Sequence, residues 1–362
     1  MPRVAILSPS FTTADAVSND ALGMSAVLTR HGFEVRFFCE SHSLAIPGIR
    51  DVSRVAGFLK DPADILIYHH SRGWAPAIEL LAQLKCRKVI RYHNITPARF
   101  FAGFSSHDQE LCEMGRRQLG NIVEAQCDLY LSASEFSARE LIDLGADPSR
   151  SQVVPPFHRV DHLLAIQADE TIISKYHTGA AAILSVGRVL PHKGQRQLIE
   201  IFGHYYHQCN SNSLLFIVGK GGEGFSPYSK QLHRSVERLG LKDAVVFTGG
   251  VSEEALKAYY LLAHAFVTVS EHEGFCVPLV EAMAMELPIT AFGSTAVSET
   301  VGDAGIVWDE RDPLLIVESI HRLMRDDSLR TVLGARGQRR YEQMFSTESI
   351  ERSFRAAIST LQ

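Results

Sequence analysis

The sequence has no basic excess, no long apolar run and no paired cysteine motif. Lys and Arg number 36 against 41 Asp and Glu, so the chain lacks the basic footprint typical of nucleic-acid binders. No stretch approaches the roughly 18 to 20 consecutive apolar residues that a membrane span requires. The six cysteines are scattered, as is typical of reduced thiols in the cytoplasm. We therefore predict a cytoplasmic protein that binds no nucleic acid.

Several catalytic and metal-binding motifs are also missing. The sequence contains no P-loop, no His-Glu-x-x-His, no Gly-x-Ser-x-Gly and no protein-kinase signature. Its 16 histidines show no metal-ligand spacing, and no apolar-flanked Asp-x-Asp motif is present for a metal-dependent sugar-nucleotide site. We predict that the protein uses no cofactor and no obligatory metal.

Short apolar runs alternate with amphipathic stretches over most of the 362 residues. This alternation predicts α/β architecture with two Rossmann-like, doubly wound parallel sheets facing each other across a cleft. Pro155-Pro156 marks the seam, because consecutive prolines continue neither a helix nor a central strand. From about Pro313 the tail is predicted to form three helices. The predicted strands are Val4–Leu7, Glu34–Phe38, Asp64–His69, Lys88–Tyr92, Asp128–Ser132, Ala181–Val186, Ser213–Val218, Ala244–Thr248, Ala265–Val269, Pro288–Ala291 and Gly305–Trp308.

A loop and helix start with two glutamates follow the predicted strand Ala265–Val269. Pro278 suits the first position of a helix, which puts Glu273 in the preceding loop and Glu281 one turn inside the helix. Gly274 lets the backbone approach a ligand closely, and the free N–H groups of a helix start attract an anion. This combination suits a sugar phosphate. The alternative is an ordinary helix start with solvated glutamates.

A second loop, after the predicted strand Ala181–Val186, contains Arg188 and Lys193. Arg binds two phosphate oxygens with its planar fork, and Lys adds a mobile point charge. Both residues precede a predicted helix, so they are candidates for binding a phosphate group. The alternative for either residue alone is surface charge on a βα loop.

The segment from Gly219 to Gly224 fits the pattern Gly-x-Gly-x-x-Gly after the predicted strand Ser213–Val218. A dinucleotide fingerprint needs an immediate helix and an acidic residue that ends the next strand. Here Phe225-Ser226-Pro227 delays the helix, and Asp243 precedes the next strand. We therefore interpret Gly219 as part of a glycine turn in a nucleotide pocket, not as a nicotinamide site.

Taken together, these motifs resemble the retaining glycosyltransferases of family 4, which have the GT-B fold. The resemblance covers nearly the whole second half of the chain and includes Phe247-Thr248-Gly249-Gly250-Val251 and Glu299-Thr300-Val301-Gly302. It implies a first domain over residues 1–156, a nucleotide-sugar-binding domain over 157–344, and a C-terminal helix over 345–362 that crosses back to the first domain.

The resemblance also implies roles for individual residues. Arg188 and Lys193 would neutralise the donor diphosphate and the charge that grows on it as the glycosidic bond breaks. Glu281 would bind ribose hydroxyls, and the backbone of Val251 would border the base. Glu273 would hold hydroxyls of the transferred sugar, with the amides of Gly274, Phe275 and Cys276 near sugar and phosphate.

In the first half, Arg91-Tyr92-His93-Asn94 looks like the strand-end histidine segment of the family. The resemblance implies that His93 contacts the donor sugar, while an ordinary buried histidine is the alternative. The family is thought to use a front-face mechanism in which the leaving phosphate helps to deprotonate the acceptor. We therefore do not interpret Glu273 as a nucleophile.

Two segments of the first half are candidates for the acceptor side. The loop after the first strand lacks the family's Gly-Gly turn, so the side chains of Asp15 and Asn19 would make contacts instead. The segment Asn94–Phe104 combines Arg99 with three phenylalanines, which suits a lipid-linked sugar phosphate and peripheral contact with the inner face of the cell membrane. The alternative is a buried aromatic cluster that anchors a loop.

These inferences favour transfer of a hexose, from GDP-mannose or UDP-glucose, to a glycan or lipid-linked glycan in polysaccharide biosynthesis. One alternative is a GT-B-fold nucleotide-sugar 2-epimerase, which would consume donor without an acceptor. The other is a non-catalytic partner that binds nucleotide sugars. The sequence leaves the donor base, the sugar, the acceptor and the oligomeric state open.

Overall fold

The computed structural model describes residues 2–13, 15–44, 48–221 and 226–361. It divides into two units, each built around its own sheet. The first unit comprises Met1–Arg99, His107–Arg159 and Thr347–Gln362, and the second comprises Phe100–Ser106 and Val160–Ser346. The division thus falls close to the predicted boundaries after residues 156 and 344, apart from the segment Phe100–Ser106.

The described part of the first unit contains a seven-stranded sheet in which all neighbouring strands pair in parallel, in the order β5-β3-β1-β6-β7-β8-β9. A separate pair, β2 and β4, joins two short extensions. The strands are β1 (Arg3–Leu7), β2 (Ser10–Phe11), β3 (Glu34–Cys39), β4 (Ser41–His42), β5 (Arg50–Asp51), β6 (Ile65–His70), β7 (Arg87–Tyr92), β8 (Leu129–Ser132) and β9 (Ser151–Val153).

Helices connect these strands, as parallel pairing requires. Asp15 caps the first helix and Ser134 caps the fifth, and each accepts a hydrogen bond from a backbone N–H that has no partner inside the helix. The helices are α1 (Ala16–Arg30), α2 (Val55–Phe58), α3 (Ala75–Gln83), α4 (Ser106–Glu124) and α5 (Glu135–Asp143), with 3₁₀ turns at Val52–Arg54, Ala98–Phe101 and Pro148–Arg150.

The described part of the second unit contains a six-stranded parallel sheet in the order β12-β11-β10-β13-β14-β15. Its strands are nearly continuous apolar runs, because helices bury both faces of the sheet. The strands are β10 (Ala181–Val186), β11 (Ser213–Val218), β12 (Val245–Gly249), β13 (Ala265–Thr268), β14 (Ile289–Phe292) and β15 (Gly305–Trp308).

The helices of the second unit surround this sheet. They are α6 (Val160–Ala165), α7 (Glu170–Tyr176), α8 (Gln195–Gln208), α9 (Ser226–Arg238), α10 (Glu253–Leu262), α11 (Val277–Ala284), α12 (Val297–Val301), α13 (Pro313–Arg325) and α14 (Asp327–Arg340), with a 3₁₀ turn at Pro191–Lys193 and a π turn at Tyr341–Phe345. Asp169, Ser252, Asp312 and Asp326 cap four of them.

The last helix, α15 (Thr347–Ser359), packs in the first unit. Ile350, Phe354 and Ile358 are buried in the same apolar cluster as Val27 on α1, and Phe354 meets the ring of Phe157 edge-on at 5.8 Å. The C-terminal tail thus forms the three helices that the sequence predicts, and the third completes the core of the first unit.

The predicted fold class is confirmed, since the chain forms two Rossmann-like parallel sheets with a C-terminal helix. Every predicted strand is present, within one residue at either end. The strands β2, β4, β5 and β9 were not predicted, because they are two or three residues long and too short to show a period. The short helices α6 and α7, which follow the proline seam, were not predicted either.

Candidate active site

The two motif loops of the second half lie at the point where the strand order of their sheet reverses. β10 lies between β11 and β13, so connections leave it on opposite sides. Arg188 and Lys193 follow β10, and Glu273 follows β13. Ligands of open α/β sheets bind outside the carboxyl ends of the strands at such a switch point. The topology therefore brings the predicted phosphate-binding loop and the predicted sugar-binding loop together.

Lys193 and Glu273 form an ion pair there, although they lie 80 residues apart. Nζ of Lys193 is 2.7 Å from both Oε1 and Oε2 of Glu273. The Lys193 side chain is 22% exposed and that of Glu273 only 7%. Burial lowers the pKa of Lys193, but the carboxylate of Glu273 outweighs it, so the pKa lies above the ordinary value. Lys193 therefore stays protonated at neutral pH.

Threonines fix the backbone of the Glu273 loop. The N–H of Glu273 donates to Oγ1 of Thr295 at 2.8 Å, and that hydroxyl lies at the same distance from the Glu273 carbonyl. Oγ1 of Thr300 donates to the carbonyl of Phe275 at 2.9 Å. Because both threonines lie beyond β14, they hold the loop independently of the ion pair.

The helix after this loop begins at Val277, with Cys276 at its N-cap in a left-handed conformation of φ +80°. Pro278 is therefore the second helical residue, one position later than predicted. A side chain at such a φ is strained, because this left-handed region favours glycine. The Cys276 thiol is buried, and burial followed by the charge of Glu273 raises its pKa well above the ordinary value. It is thus held as an unreactive thiol.

Glu281, one turn inside α11, has a partner that the sequence motif does not contain. Its Oε2 accepts a hydrogen bond from the hydroxyl of Tyr260 at 2.6 Å. Burial raises the pKa of Glu281, and the hydrogen bond from Tyr260 works in the opposite direction. Tyr260 on α10 thus stabilises the ionised form of a carboxylate that is removed from water.

Arg188 differs from Lys193 in having no carboxylate partner among the described residues. Its side chain is exposed, while its carbonyl accepts a hydrogen bond from Nε2 of Gln195 at 3.0 Å. The loop is therefore anchored through its backbone and leaves the guanidinium available to an anion.

Gly219 brings the end of β11 against the Arg188 loop. Its φ is +152°, and a Cβ at this position would lie 1.9 Å from the carbonyl oxygen of Gly187. Beside it lies a cavity of about 130 Å³ whose lining includes Gly219, Phe247 and Gly249. Val251 is half-buried and precedes the cap of α10. The rest of the glycine segment, residues 222–225, lies outside the described residues.

The first-half candidates are located as follows. Oδ2 of Asp15 accepts hydrogen bonds from the backbone N–H and the hydroxyl of Ser18, so Asp15 caps α1. Asn19 is half-buried on that helix. Arg99 is exposed in the 3₁₀ turn Ala98–Phe101. These positions do not converge on one contact in the described hydrogen bonds, and their proposed acceptor role stays a prediction.

His93 belongs to a polar cluster at the switch point of the first sheet, where β1 lies between β3 and β6. Its Nε2 is 2.9 Å from Nδ1 of His69 and 3.6 Å from Oδ2 of Asp20. The same carboxylate oxygen accepts a hydrogen bond from Nε of Arg91 at 2.6 Å. Asp20, His69 and Arg91 lie far apart in the sequence, so no spacing motif indicates this cluster.

Residues Phe100–Ser106 of the aromatic segment belong to the second unit, not to the first domain in which we expected them. The rings of Phe100 and Phe101 lie 6.0 and 5.8 Å from that of His192, and Phe104 meets Tyr228 edge-on at 5.6 Å. Phe101 is buried. The contacts favour the interpretation as an aromatic cluster that anchors a loop. Among the described helices, none is both long enough and apolar enough to cross a bilayer.

Two family models match the chain, one to each unit. The model described as "Glycosyltransferase Family 4" matches residues 17–162, and that described as "Glycosyl transferases group 1" matches residues 169–340. The chain belongs to the family 4 glycosyltransferases. The resemblance that the motifs indicate is thus confirmed.

Relatives agree with this assignment, and a solved structure agrees with the fold. The chain is 28% identical over 300 residues to "O-antigen chain mannosyltransferase B" of Escherichia coli, covering 82% of this chain and 74% of that protein. It is 29% identical over 231 residues to "D-inositol 3-phosphate glycosyltransferase" of Acidothermus cellulolyticus, covering 61% of this chain but only 51% of that protein. The fold matches that of Anabaena HepE in complex with UDP-glucose, with a TM-score of 0.78 and 17% identity over 99% of this chain and 100% of the other.

Within this glycosyltransferase, sequence reasoning found the charged residues but missed their partners. Tyr260 and Thr295 are examples, because each contacts a motif residue through the tertiary fold. No sequence pattern indicated Tyr260, which is a buried tyrosine on α10 whose ring stacks on that of Phe266 at 6.3 Å. His69 carried a weak signal, since it lies near the end of the buried strand β6, which pairs with β7.

Proposed function

We propose that this glycosyltransferase transfers a hexose from a nucleotide diphosphate sugar of the GDP-mannose or UDP-glucose type to a glycan or lipid-linked glycan. The transfer retains the anomeric configuration, needs no metal ion and serves polysaccharide biosynthesis at the cytoplasmic face. A mannosyltransferase of O-antigen chains among the relatives supports the hexose and the pathway class. A match of fold to a protein that binds UDP-glucose supports the nucleotide-sugar donor.

The observation that carries the proposal is the buried Lys193–Glu273 pair at the switch point, with Arg188 exposed on the same loop as Lys193. Glu273 neutralises Lys193 in the absence of donor, so Arg188 supplies the net charge that attracts a diphosphate. A bound diphosphate then lies against both cations, which stabilise the negative charge as the glycosidic bond breaks. Glu273 accepts hydrogen bonds from sugar hydroxyls.

The environment of the glutamates argues against a covalent glycosyl-enzyme intermediate. Retaining hydrolases use one carboxylate as nucleophile and a second as acid and base. Here both oxygens of Glu273 are bound to Lys193, and Glu281 is bound to Tyr260. We therefore assign the deprotonation of the acceptor to the leaving phosphate on the same face of the sugar. Glu281 binds the ribose hydroxyls of the donor.

Variants of the ion pair test this proposal. We expect Glu273→Ala and Lys193→Ala each to lower turnover at least about 100-fold, because each removes a group that stabilises developing charge or holds the sugar. Lys193→Ala also leaves a buried carboxylate unpaired and is expected to destabilise the protein by roughly 3 to 5 kcal/mol. Glu273→Gln therefore serves as the near-isosteric variant if the alanine variants fail to fold.

Glu271→Ala is the matched control, because Glu271 lies two residues away but has a side chain that is 40% exposed and pairs with Arg311 at 3.1 Å. It should retain wild-type turnover.

Product analysis after incubation with radiolabelled GDP-mannose or UDP-glucose separates glycan transfer from release of an altered free sugar, which a 2-epimerase would produce. Near-native rates in the folded Glu273 and Lys193 variants would contradict the proposal. So would the absence of a thermal shift with every UDP, GDP and ADP compound.

A further inference from the structure

The polar cluster Asp20–His69–Arg91–His93 in the first unit makes contacts that the family motifs do not explain. Asp20 and Arg91 are fully buried and pair at 2.6 Å, and the second oxygen of Asp20 accepts the N–H of Phe157 at 2.8 Å. Asp20 is thus already neutralised by an arginine. The two histidines lie beside this pair without needing to supply a charge.

Both histidines are neutral at physiological pH. Burial holds the pKa of His69 and of His93 well below the ordinary value. The guanidinium of Arg91 lowers the pKa of His93 further, and the neighbouring His93 does the same for His69, against the opposing effect of the Asp20 carboxylate. With two neutral rings, one proton occupies the hydrogen bond between Nδ1 of His69 and Nε2 of His93, which are 2.9 Å apart. The proton on one ring therefore determines the tautomer of the other.

The surroundings of Nε2 of His69 distinguish the two possible positions of the proton on this ring. Its Nε2 is fully buried and has no hydrogen-bond partner. If Nε2 carried the proton, a buried N–H would be left without an acceptor, and such orphaned donors are rare in folded proteins. A bare lone pair at this position costs less. His69 therefore carries its proton on Nδ1 and donates it to Nε2 of His93.

The position of the proton on His93 follows from this arrangement. Because Nε2 of His93 accepts a hydrogen bond, its single proton lies on Nδ1. That nitrogen makes no hydrogen bond within the described residues and is not among their fully buried, unpartnered polar atoms. The His93 side chain is 10% exposed. Nδ1–H is thus a donor that a bound molecule can reach.

We infer that His69 is a positioning residue that holds His93 as the neutral Nδ1–H tautomer, so that His93 donates a hydrogen bond to an oxygen of the substrate and does not act as a base. The oxygen class includes sugar hydroxyls and phosphate oxygens. Only the identity of this molecule rests on the proposed function, since the tautomer follows from contacts within the first unit.

A bound metal ion is the competing explanation, because Asp20, His69 and His93 each offer one ligand atom and these atoms lie within 4.8 Å of one another. The contacts favour the hydrogen bond. The two nitrogens at 2.9 Å have the separation of a hydrogen bond. Nε of Arg91 also lies 2.6 Å from the Asp20 oxygen, which places a fixed positive charge beside the would-be cation.

Long-range ¹H–¹⁵N NMR on the full chain labelled with ¹⁵N-histidine reads the tautomer directly, without any substrate. The His93 signals are assigned by their loss in His93→Gln. We expect a protonated Nδ1 and a bare Nε2 in the wild type. A protonated Nε2 on His93 would overturn the inference, and so would one equivalent of bound zinc by elemental analysis.

Two substitutions at His69 then test the positioning role. Asn can place an amide N–H near the position of Nδ1, whereas Leu removes the donor and leaves the Asp20 carboxylate to attract a proton onto Nε2 of His93. We expect His69→Asn to preserve the Nδ1–H tautomer and activity within about threefold. His69→Leu should show Nε2–H and lose roughly 10- to 100-fold in kcat at similar donor KM.

Folding of both variants is checked by circular dichroism and thermal unfolding. A folded His69→Leu variant that loses activity while His93 keeps the Nδ1–H tautomer would overturn the positioning role. Wild-type activity together with the Nε2–H tautomer would overturn the donor role. Failure of the proposed function is distinguishable, because the wild type would then show the Nδ1–H tautomer but transfer no sugar from any donor.

Discussion

The Lys193–Glu273 pair shows how a site residue can be both structural and functional. Two charges at 22% and 7% side-chain exposure have lost much of their hydration, and the two contacts of 2.7 Å compensate for that loss. Removing one partner is therefore more damaging than the pair is stabilising. A donor diphosphate adds a second anion beside Lys193, and it does not replace Lys193 as the partner of Glu273. The pair thus holds both side chains in position before the substrate arrives.

Tyr260 provides a second test at this scale. Tyr260→Phe removes the hydroxyl that donates a hydrogen bond to Glu281 while keeping the ring, so the pKa of Glu281, already raised by burial, should rise further. If Glu281 binds the ribose, we expect donor KM to increase roughly tenfold with kcat changed less than about threefold. The increase should be larger at pH 6 than at pH 8, because protonation of Glu281 is favoured at the lower pH.

Tyr259→Phe is the matched control, since Tyr259 is the adjacent residue on α10 and packs through its ring against Tyr176 and Phe216. Steady-state kinetics over a range of donor concentrations measure both variants. An equal effect of the two substitutions, or a Tyr260→Phe effect confined to the melting temperature, would contradict the role of Tyr260 in holding Glu281.

The residue scale also shows what the sequence could and could not predict. Charged side chains on loops after strands were recognisable because their spacing follows the βα units. Their partners were not, because Tyr260, Thr295 and Asp20 meet the motif residues only after the strands have assembled. A pattern of neighbouring residues contains the position of Glu273 but no information on what contacts it.

At the scale of elements, glycine allows the ends of β10 and β11 to approach each other closely. Both Gly187 and Gly219 have φ near +150°, but only Gly219 has a backbone carbonyl where a Cβ would lie, at 1.9 Å. Gly187→Ala therefore tests the backbone conformation alone and should cost about 1 to 2 kcal/mol. Gly219→Ala adds a clash that must displace the Arg188 loop, and we expect at least about 3 kcal/mol.

Urea unfolding of both variants measures these costs, and thermal shift with a nucleotide sugar measures the effect on the site. Gly219→Ala should lose the shift, since the displaced loop carries Arg188. If Gly187→Ala and Gly219→Ala had the same free energy of unfolding, the close approach of the two loops would not be required for stability.

Strands with long apolar runs were predicted correctly, whereas segments whose structure depends on tertiary contacts were not. The central strands are buried on both faces, so their sequences are apolar throughout and their ends are marked by glycine or polar residues. β9 has three half-buried residues and gains its strand conformation by pairing with β8. The segment Phe100–Ser106 looked like part of the first domain from its position in the chain, but its phenylalanines pack on His192 and Tyr228.

At the scale of the whole molecule, buried histidines make stability depend on pH. Burial lowers the pKa of His69, His70, His93 and His192, which lie in both units. As the pH falls below about 6.5, the unfolded chain binds protons that the folded chain does not. The free energy of unfolding should therefore decrease from pH 7.5 to pH 5. This stability is present above the unfolded pKa and is lost progressively on acidification.

His70 allows the effect to be assigned to one group. Burial lowers its pKa to about 4, and its ring nitrogens contact the Tyr68 hydroxyl at 2.9 Å and the Gly115 carbonyl at 3.1 Å. Linkage between this value and the unfolded one predicts that His70 contributes about 2 kcal/mol of the loss between pH 7.5 and pH 5. His70→Gln should be less stable than the wild type at pH 7.5 but lose less on acidification, by about that amount. His204→Gln, at an exposed position on α8, should keep the wild-type pH dependence. Urea titrations at pH 7.5, 6.5, 5.5 and 5 measure the three proteins. A His70→Gln curve parallel to that of the wild type would mean that His70 takes up its proton without unfolding, and that the loss of stability in acid arises from other buried groups.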